Sequence, residues 1–178
     1  MRRRSEAPMW NIAICYCSRH HGNTRKVLEA MTGQGEAALI DVTACGEVCL
    51  EDYDCIGFAS GIYFGRFHRA VAEAARRHLP HGRPVFFVCT YGGGAGKALC
   101  EMEALARERD CQVLGSFGCK GYDTFGPFKL VGGIARGRPN ETDLADARQF
   151  YRAILARNIE RNRGTVLCPA EPRREEHP

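Results

Sequence analysis

The sequence predicts an open, doubly wound α/β fold: a five-stranded parallel sheet of order 2-1-3-4-5 with helices on both faces. Short apolar runs alternate with longer stretches of helical period, which is typical of repeated βαβ units. The chain has 178 residues, enough for one domain, and it shows no internal repeat. Clusters of glycine, hydroxyl and aromatic residues follow the first, third and fourth apolar runs. In this strand order, those three strand ends meet at the ligand-binding edge of the sheet.

The individual elements follow from local patterns. Short apolar runs predict five strands at residues 9–17, 37–42, 54–60, 84–90 and 112–119. Apolar residues three and four apart predict four helices at residues 23–31, 66–79, 95–109 and 141–160. The second helix is expected to end before Pro80, and Asn140 with Asp143 three residues later is a typical start for the last one. A Gly-rich segment at residues 120–139 separates the last strand from the last helix.

Composition indicates an ordinary globular protein. Hydrophobic residues make up 44% of the chain and charged residues 26%, and 25 Lys and Arg against 21 Asp and Glu give a net charge of +4, too little to indicate nucleic-acid binding. No run of 18 apolar residues predicts a membrane span, and the basic start lacks a signal-peptide cleavage site. We expect a basic N-terminal extension at residues 1–8, one domain at 9–162 and a mobile, Pro-rich tail at 163–178.

The ten cysteines are interpreted as reduced thiols of a cytoplasmic protein, because many lie in apolar runs and a chain of this length needs no disulfide scaffold. Cys15 and Cys17 share one strand face and are expected in the core. Residues 45, 49 and 55 lack the spacing of a metal site, and no metal is predicted. Cys119 next to Lys120 is either a thiol activated by the amine or, as is more usual at a strand end, an inert one.

The turn at residues 18–24 has the chemistry of a phosphate site. It reads Ser-Arg-His-His-Gly-Asn-Thr and leads directly into a helix. Hydroxyls at Ser18 and Thr24, a close backbone approach at Gly22 and the positive helix end suit a phosphate monoester, and His20 or His21 is a further donor. The alternative is a capped βα turn without a ligand, since Ser, Asn and Thr cap helices routinely.

A strand, then Ser-x-x-x-Gly-Asn-Thr, then a helix resembles the FMN-phosphate loop of flavodoxins and flavodoxin-like oxidoreductases. Residues 59–65 after the third strand and 90–94 after the fourth resemble the two loops that hold the isoalloxazine ring in that family. The resemblance covers residues 9–160 and implies a flavodoxin-like fold with FMN as cofactor. The flavin-binding residues that it implies are Ser18, His20, Gly22, Asn23, Thr24, Ser60, Gly61, Ile62, Tyr63, Phe64, Thr90, Tyr91, Gly92, Gly93 and Gly94.

Two features depart from typical flavodoxins, which are acidic and often stack an aromatic residue directly after the Tyr-Gly pair of the second ring loop. This chain is weakly basic and has Gly93 there, and Arg66, Lys97 and Lys120 are candidates for cations near the ring. Residues 119–139 contain aromatic residues, and a loop of this length is usually functional or disordered, so we interpret them as a lid or a partner-docking flap near the flavin.

The leading functional hypothesis is a small FMN protein that transfers electrons between redox partner proteins. The alternatives are an FMN-dependent NAD(P)H:quinone or flavin reductase, and a flavin-free interaction module; the intact turn at residues 18–24 argues against the last. No charged residue in the ring loops is an obvious acid or base, so no catalytic side chain is predicted beyond the cofactor. No nucleic-acid or membrane partner is expected, and either a monomer or a homodimer is compatible with the sequence.

Overall fold

The computed structural model describes residues 10–33 and 36–165. The strands are β1 (Ile12–Cys17), β2 (Ala38–Asp41), β3 (Cys55–Tyr63), β4 (Arg66–Phe67), β5 (Pro84–Tyr91) and β6 (Gln112–Lys120). The helices are α1 (Asn23–Thr32), α2 (Arg69–His78), α3 (Ala98–Arg107) and α4 (Glu141–Thr165), with a 3₁₀ helix at Gly126–Val131. The predicted extension at residues 1–8 and residues 166–178 of the predicted tail lie outside the described residues.

The sheet has the order β2-β1-β3-β5-β6, with β4 paired to β3. The five strands β2, β1, β3, β5 and β6 run parallel to one another. The predicted order 2-1-3-4-5 is therefore confirmed, because the prediction did not count the short β4. β4 adds an antiparallel hairpin, in which Tyr63 pairs with Arg66. Within the described part of the chain, none of the helices is long and apolar enough to cross a membrane.

A buried layer covers each face of the sheet. Alternate residues of β1 point to opposite faces: Ala13, Cys15 and Cys17 join the cluster under α2 and α3, whereas Ile14 joins the cluster that includes Tyr151 of α4. The prediction that Cys15 and Cys17 lie in the core is therefore confirmed. Because both faces are covered by helices, the strands are near-continuous apolar runs rather than alternating ones.

Several boundaries differ from the prediction: β3 continues beyond residue 60 to Tyr63, and α3 covers Ala98–Arg107 rather than residues 95–109. The helix predicted at residues 66–79 begins only at Arg69, because residues 66 and 67 pair with the extended end of β3 instead of joining the helix. Helix α4 continues to Thr165, so the tail predicted to begin at residue 163 is helical in its first three positions. Its predicted start is confirmed: the Asn140 N–H donates to Asp143 Oδ2 at 2.8 Å, and the Asp143 N–H donates to Asn140 Oδ1 at 3.1 Å.

The Gly-rich segment between β6 and α4 is folded rather than an open loop. Asp123 and Ile134 form an isolated bridge, with N–H···O distances of 3.1 and 2.8 Å, around the 3₁₀ helix. The Tyr122 N–H also donates to the Arg138 carbonyl at 2.9 Å, which closes the base of the segment. We call residues 121–138 the lobe. It folds back over the carboxyl edge of the sheet, where its Gly121 N–H donates to the Tyr91 carbonyl at the end of β5.

Candidate functional site

A cavity of about 550 Å³ lies at the carboxyl ends of β1, β3 and β5. This volume is within the range of small-molecule sites, roughly 300–1,000 Å³. Four segments line it: the turn after β1, the end of β3, the end of β5 and the lobe. The predicted residues that it brings together are Ser18, His20, Thr24, Gly61, Ile62, Tyr63, Phe64, Thr90, Tyr91 and Gly92. The predicted residues that do not line it are Gly22, Asn23, Ser60, Gly93 and Gly94.

The turn after β1 presents the amino end of helix α1 to the cavity. Gly22 is the N-cap residue, with a φ of 67° that favours glycine, so it supplies no side-chain cap. No acidic residue lies in the first turn of α1. The Ser18 hydroxyl oxygen accepts from the Arg25 N–H at 3.2 Å, which leaves its own hydrogen available. The Asn23 N–H also has a partner, the His20 carbonyl at 3.4 Å. What this turn offers an anion is therefore the positive helix end together with the Ser18 hydroxyl hydrogen.

A pair of threonines joins this turn to the central strand. Thr24 and Thr90 are both buried, and their Oγ1 atoms lie 2.9 Å apart. One hydroxyl donates to the other, so the pair keeps one hydroxyl hydrogen that is not used between them. Both residues line the cavity. The pair thus offers a second hydroxyl donor beside the one on Ser18.

Asn23 and His21 contact the lobe. The Asn23 side-chain amide donates to the Tyr122 carbonyl at 2.8 Å. His21 Nε2 lies 2.9 Å from Thr124 Oγ1, and its ring lies 4.5 Å from that of Tyr122. A Cβ atom at Gly121 would lie 2.7 Å from the Asn23 amide nitrogen, so this contact requires glycine. In this structure the two side chains join the predicted phosphate turn to the lobe.

Three further predicted residues, Ser60, Gly93 and Gly94, also lie outside the cavity wall. The buried Ser60 hydroxyl donates to the Gly61 carbonyl at 2.5 Å and accepts from the His68 N–H at 2.9 Å, so it holds the end of β3 against the start of α2. A Cβ atom at Gly93 or Gly94 would meet nothing within 4 Å.

Gly92 lines the cavity and is also where the lobe packs on the sheet. A Cβ atom at this position would lie 2.6 Å from Asp123 Oδ2, 2.7 Å from Asp123 Cβ and 2.9 Å from Ile134 Cδ1. Such distances are too short for real Cβ contacts. The glycine is therefore needed for packing of the lobe, a role that the sequence did not indicate.

Aromatic side chains surround the cavity opening. The His20 ring lies 5.6 Å from both the Tyr63 and the Phe125 rings, and Phe125 contacts Phe64 edge-to-face at 5.4 Å. The lobe also contributes Tyr122 and Phe128 to the wall. Burial raises the pKa of the Tyr63 phenol, so this side chain is neutral at physiological pH. The wall therefore combines flat apolar faces with the polar donors of the turn after β1.

The three cations predicted near the ring do not line the cavity. Lys97 and Lys120 do not line the cavity, and the Arg66 guanidinium Nε lies 3.5 Å from Glu101 Oε1. The cation that lines the cavity is Arg19, and no other Lys or Arg of the described ranges does so; Asp123 is the acidic group. Neither Arg19 nor Asp123 was predicted from the sequence as a residue of the site. Arg19 has a recognisable signal, its place inside the predicted phosphate turn, whereas nothing in the sequence indicates that Asp123 folds back to this site.

A second, shallower cleft of about 710 Å³ adjoins the cavity and shares Arg19, His20, Tyr63 and Phe64 with it. His68, the N-cap of α2, lies in this cleft, and its Nδ1 accepts from the Ala70 N–H at 3.2 Å. Burial, with a smaller contribution from Arg19, lowers the pKa of His68 from its usual 6.5. The imidazole is therefore neutral in the folded protein at pH 7.

We expect the protein to lose stability in acid partly through His68. Because its pKa is lower in the folded chain than in the unfolded chain, the unfolded chain binds the proton more readily. The stability that neutral His68 contributes is fully present above pH 6.5, and it is lost as the pH falls through the lower pKa of the folded state. The measurement is the thermal midpoint between about pH 7.5 and 5. His68→Asn keeps a capping acceptor without titrating, so its midpoint should fall less; an equal fall would show that His68 is not involved.

Cys119 is buried in the cluster under α1 and α4. Burial, followed by the nearby Asp143 carboxylate, raises the pKa of its thiol to about 12. The adjacent Lys120 is exposed, since successive strand residues point to opposite faces. The inert reading of Cys119 is therefore confirmed, and the activated-thiol reading is wrong.

The strand order and a cavity at the carboxyl ends of β1, β3 and β5 define a flavodoxin-like α/β protein. A family model described as a flavodoxin domain matches residues 13–111, and the chain belongs to this family. An uncharacterized protein from Methanocaldococcus jannaschii is 34% identical over 144 residues, which is 80% of this chain and 96% of that relative.

Solved structures show the same fold. A flavodoxin from the domain Archaea matches with a TM-score of 0.61 and 16% identity, over 84% of this chain and 99% of its own. Oxidised flavodoxin 1 from Bacillus cereus matches with a TM-score of 0.63 and 15% identity, over 82% of this chain and 97% of its own.

Proposed function

We propose that this protein binds FMN non-covalently in the cavity and transfers electrons between cellular redox partners. The observation that carries the proposal is the meeting, in one cavity of about 550 Å³, of a helix amino end that has no acidic residue in its first turn with an aromatic wall. FMN would supply the redox chemistry, which needs no acid or base from the chain. We include a cytoplasmic location in the proposal, which the free state of every described cysteine supports.

The residues present suit the two ends of FMN. The phosphate would be held at the turn after β1 by backbone N–H groups, the Ser18 hydroxyl and the Thr24–Thr90 pair, with Arg19 supplying positive charge. The ring would be held between the ends of β3 and β5, where Gly61 and Gly92 expose the main chain and Tyr63 and the lobe provide apolar faces. These roles are proposals drawn from the chemistry of the donors.

FMN is preferred over FAD in this proposal because the turn leads directly into α1, and the sequence contains no second mononucleotide motif for an adenylate. The test is purification and reconstitution with excess FMN, followed by an absorption spectrum after removal of free flavin. We expect a yellow protein and a thermal midpoint that rises with FMN concentration. Loss of FMN on dilution into a desalting column, or a clear preference for FAD, would overturn the proposal.

The second candidate is an FMN-dependent NAD(P)H:quinone or flavin reductase. The basic cleft that adjoins the cavity favours it, since Arg19, Arg66 and Arg69 line this cleft and an anionic substrate would meet them there. Anaerobic mixing of the FMN-loaded protein with NADH or NADPH separates the two candidates. Rapid bleaching of the flavin absorption by either nucleotide would favour the reductase, whereas an electron carrier should be reduced only by a protein donor.

Asn23→Ala provides a sharp test of how the turn after β1 and the lobe cooperate. Because the Asn23 amide holds the Tyr122 carbonyl at 2.8 Å, its loss should loosen one cavity wall. We therefore expect FMN and riboflavin affinities to fall together, by about tenfold for one hydrogen bond. Isothermal titration with both ligands is the measurement. A loss confined to FMN would instead show that the side chain binds the phosphate.

A further inference from the structure

The turn of the β3–β4 hairpin contains an unusual residue, Phe64, which has a positive φ. Tyr63 pairs with Arg66, so residues 64 and 65 form a two-residue turn, and their φ values are 51° and 76°. Such turns favour Asn-Gly, because both central residues are left-handed. Here a bulky aromatic residue adopts that conformation with 89% of its side chain exposed. Strain and apolar exposure at one position next to the cavity indicate a functional role for this side chain.

The exposed large hydrophobic side chains of the described residues all belong to this hairpin or to the lobe. They are Phe64 (89% exposed), Phe125 (42%), Leu130 (90%) and Val131 (73%). Phe64 and Phe125 contact each other edge-to-face at the cavity opening. We call these four residues the apolar rim. Phe64 and Phe125 line the cavity, whereas Leu130 and Val131 lie in the 3₁₀ helix of the lobe. The rest of the described surface is free of such residues, and this concentration on two neighbouring segments is typical of an interaction site.

Basic residues outnumber acidic ones in the loops that contain or adjoin the apolar rim. The segments at residues 18–24, 60–69, 90–97 and 119–139 contain a single acidic residue, Asp123. Their basic residues are Arg19, Arg66, Arg69, Lys97, Lys120, Lys129, Arg136 and Arg138. Three of these cations are paired with carboxylates just outside the segments: Arg66 with Glu101, Arg69 with Glu73 and Arg138 with Asp143. The other five still outnumber the single acidic residue, so the loops at the cavity edge carry a net positive charge. Such a surface attracts a negatively charged partner over a distance of about one Debye length, roughly 10 Å.

We propose that the apolar rim and its basic surroundings form the docking surface for an acidic electron-transfer protein. This rests on the proposed function and adds the kind of partner. An apolar centre within a charged border is the anatomy of protein interfaces, and opposite charge speeds the encounter. A protein is favoured over a small molecule because Leu130 and Val131 are mostly exposed and do not line the cavity, so a ligand inside the cavity does not cover them.

The binding test uses a fluorescently labelled, acidic [2Fe–2S] ferredoxin as the probe, with basic cytochrome c as the probe of opposite charge. Fluorescence anisotropy is measured with both the apoprotein and the FMN-loaded protein while salt is raised from about 0.02 to 0.3 M. We expect the ferredoxin to bind to both forms and its affinity to fall by at least about tenfold across that range, whereas cytochrome c should not bind. Binding that is insensitive to salt, or a preference for cytochrome c, would overturn the proposal.

Three variants locate the surface. Lys129→Glu should weaken ferredoxin binding by about tenfold, whereas Arg152→Glu on the exposed side of α4 is the matched charge reversal outside the surface and should change it little. Phe64→Asn should also weaken binding, although it suits the left-handed turn better and should leave the thermal midpoint equal or higher. Equal effects of the Arg152 and the lobe variants would place docking elsewhere and overturn the proposal.

The apoprotein measurements keep this proposal separate from the proposed function. If FMN is not retained but the ferredoxin binds the apoprotein with the expected salt dependence, the docking surface stands and the cofactor assignment fails. If FMN binds and the ferredoxin does not, the docking surface fails. Ferricyanide, a small anionic oxidant, provides a last check on reduced, FMN-loaded protein: Leu130→Asn should slow electron transfer to ferredoxin and leave the rate with ferricyanide unchanged. Equal slowing of both would overturn docking at the rim.

Discussion

Replacing Thr24 with valine is expected to weaken FMN binding by about 10- to 100-fold and to leave riboflavin binding nearly unchanged. A hydrogen bond to a charged group contributes about 1.5–3 kcal/mol, and each 1.4 kcal/mol is about tenfold in affinity. Thr24 lies in the first turn of α1, and its hydroxyl is paired with that of Thr90 at the cavity. Valine has the same shape as threonine but lacks the hydroxyl donor. Riboflavin has no phosphate group, so the loss of this donor should not affect its binding.

Thr32→Val is the matched control. Thr32 is also buried in α1, and its hydroxyl donates to the Leu28 carbonyl at 3.0 Å, at the opposite end of the helix from the cavity. Both variants should lower the free energy of unfolding by about 1 kcal/mol, since each removes one buried hydrogen bond. Only Thr24→Val should change the ratio of FMN to riboflavin affinity. A common loss for both ligands would show that the threonine pair is structural.

Gly92→Ala is expected to displace the lobe and to lower the affinity for both FMN and riboflavin by at least about tenfold. The new methyl group would lie 2.7 Å from Asp123 Cβ and 2.9 Å from Ile134 Cδ1, so the lobe must move away from β5. Overpacking of this kind costs about 1–3 kcal/mol. The Tyr122, Phe125 and Phe128 side chains of the cavity wall would move with the lobe.

Hydrogen exchange of residues 121–138 is the measurement, because the bridge between Asp123 and Ile134 protects amides that displacement would expose. Gly94→Ala is the control two residues away, since a Cβ atom there meets nothing within 4 Å. Unchanged exchange in Gly92→Ala would mean that the lobe accommodates the methyl group in place. Comparing FMN with riboflavin also separates the two predictions: Gly92→Ala should weaken the binding of both ligands, whereas Thr24→Val should weaken the binding of FMN alone.

Local sequence patterns were sufficient to predict the main strands of the sheet. The apolar runs of β1, β3 and β5 are buried on both faces along most of their length, so their composition alone distinguishes them from surface elements. The cap at Asn140 is equally local, because both of its hydrogen bonds join residues three apart in sequence. The hairpin at β4 was missed because residues 66–67 fit a helical pattern, and only their pairing with β3 overrides it.

The sequence by itself determined the fold, the edge of the sheet that carries the cavity and the turns that line it, because these depend on hydrophobic periodicity and on short motifs. Only the tertiary structure decided which side chains of those turns face the cavity. Asn23 contacts Tyr122, 99 positions away, Gly92 makes room for Asp123, and Arg19 replaces the expected lysines. The physical reason is that the lobe folds back through contacts between residues distant in sequence, and no periodicity in the chain encodes which pairs will meet.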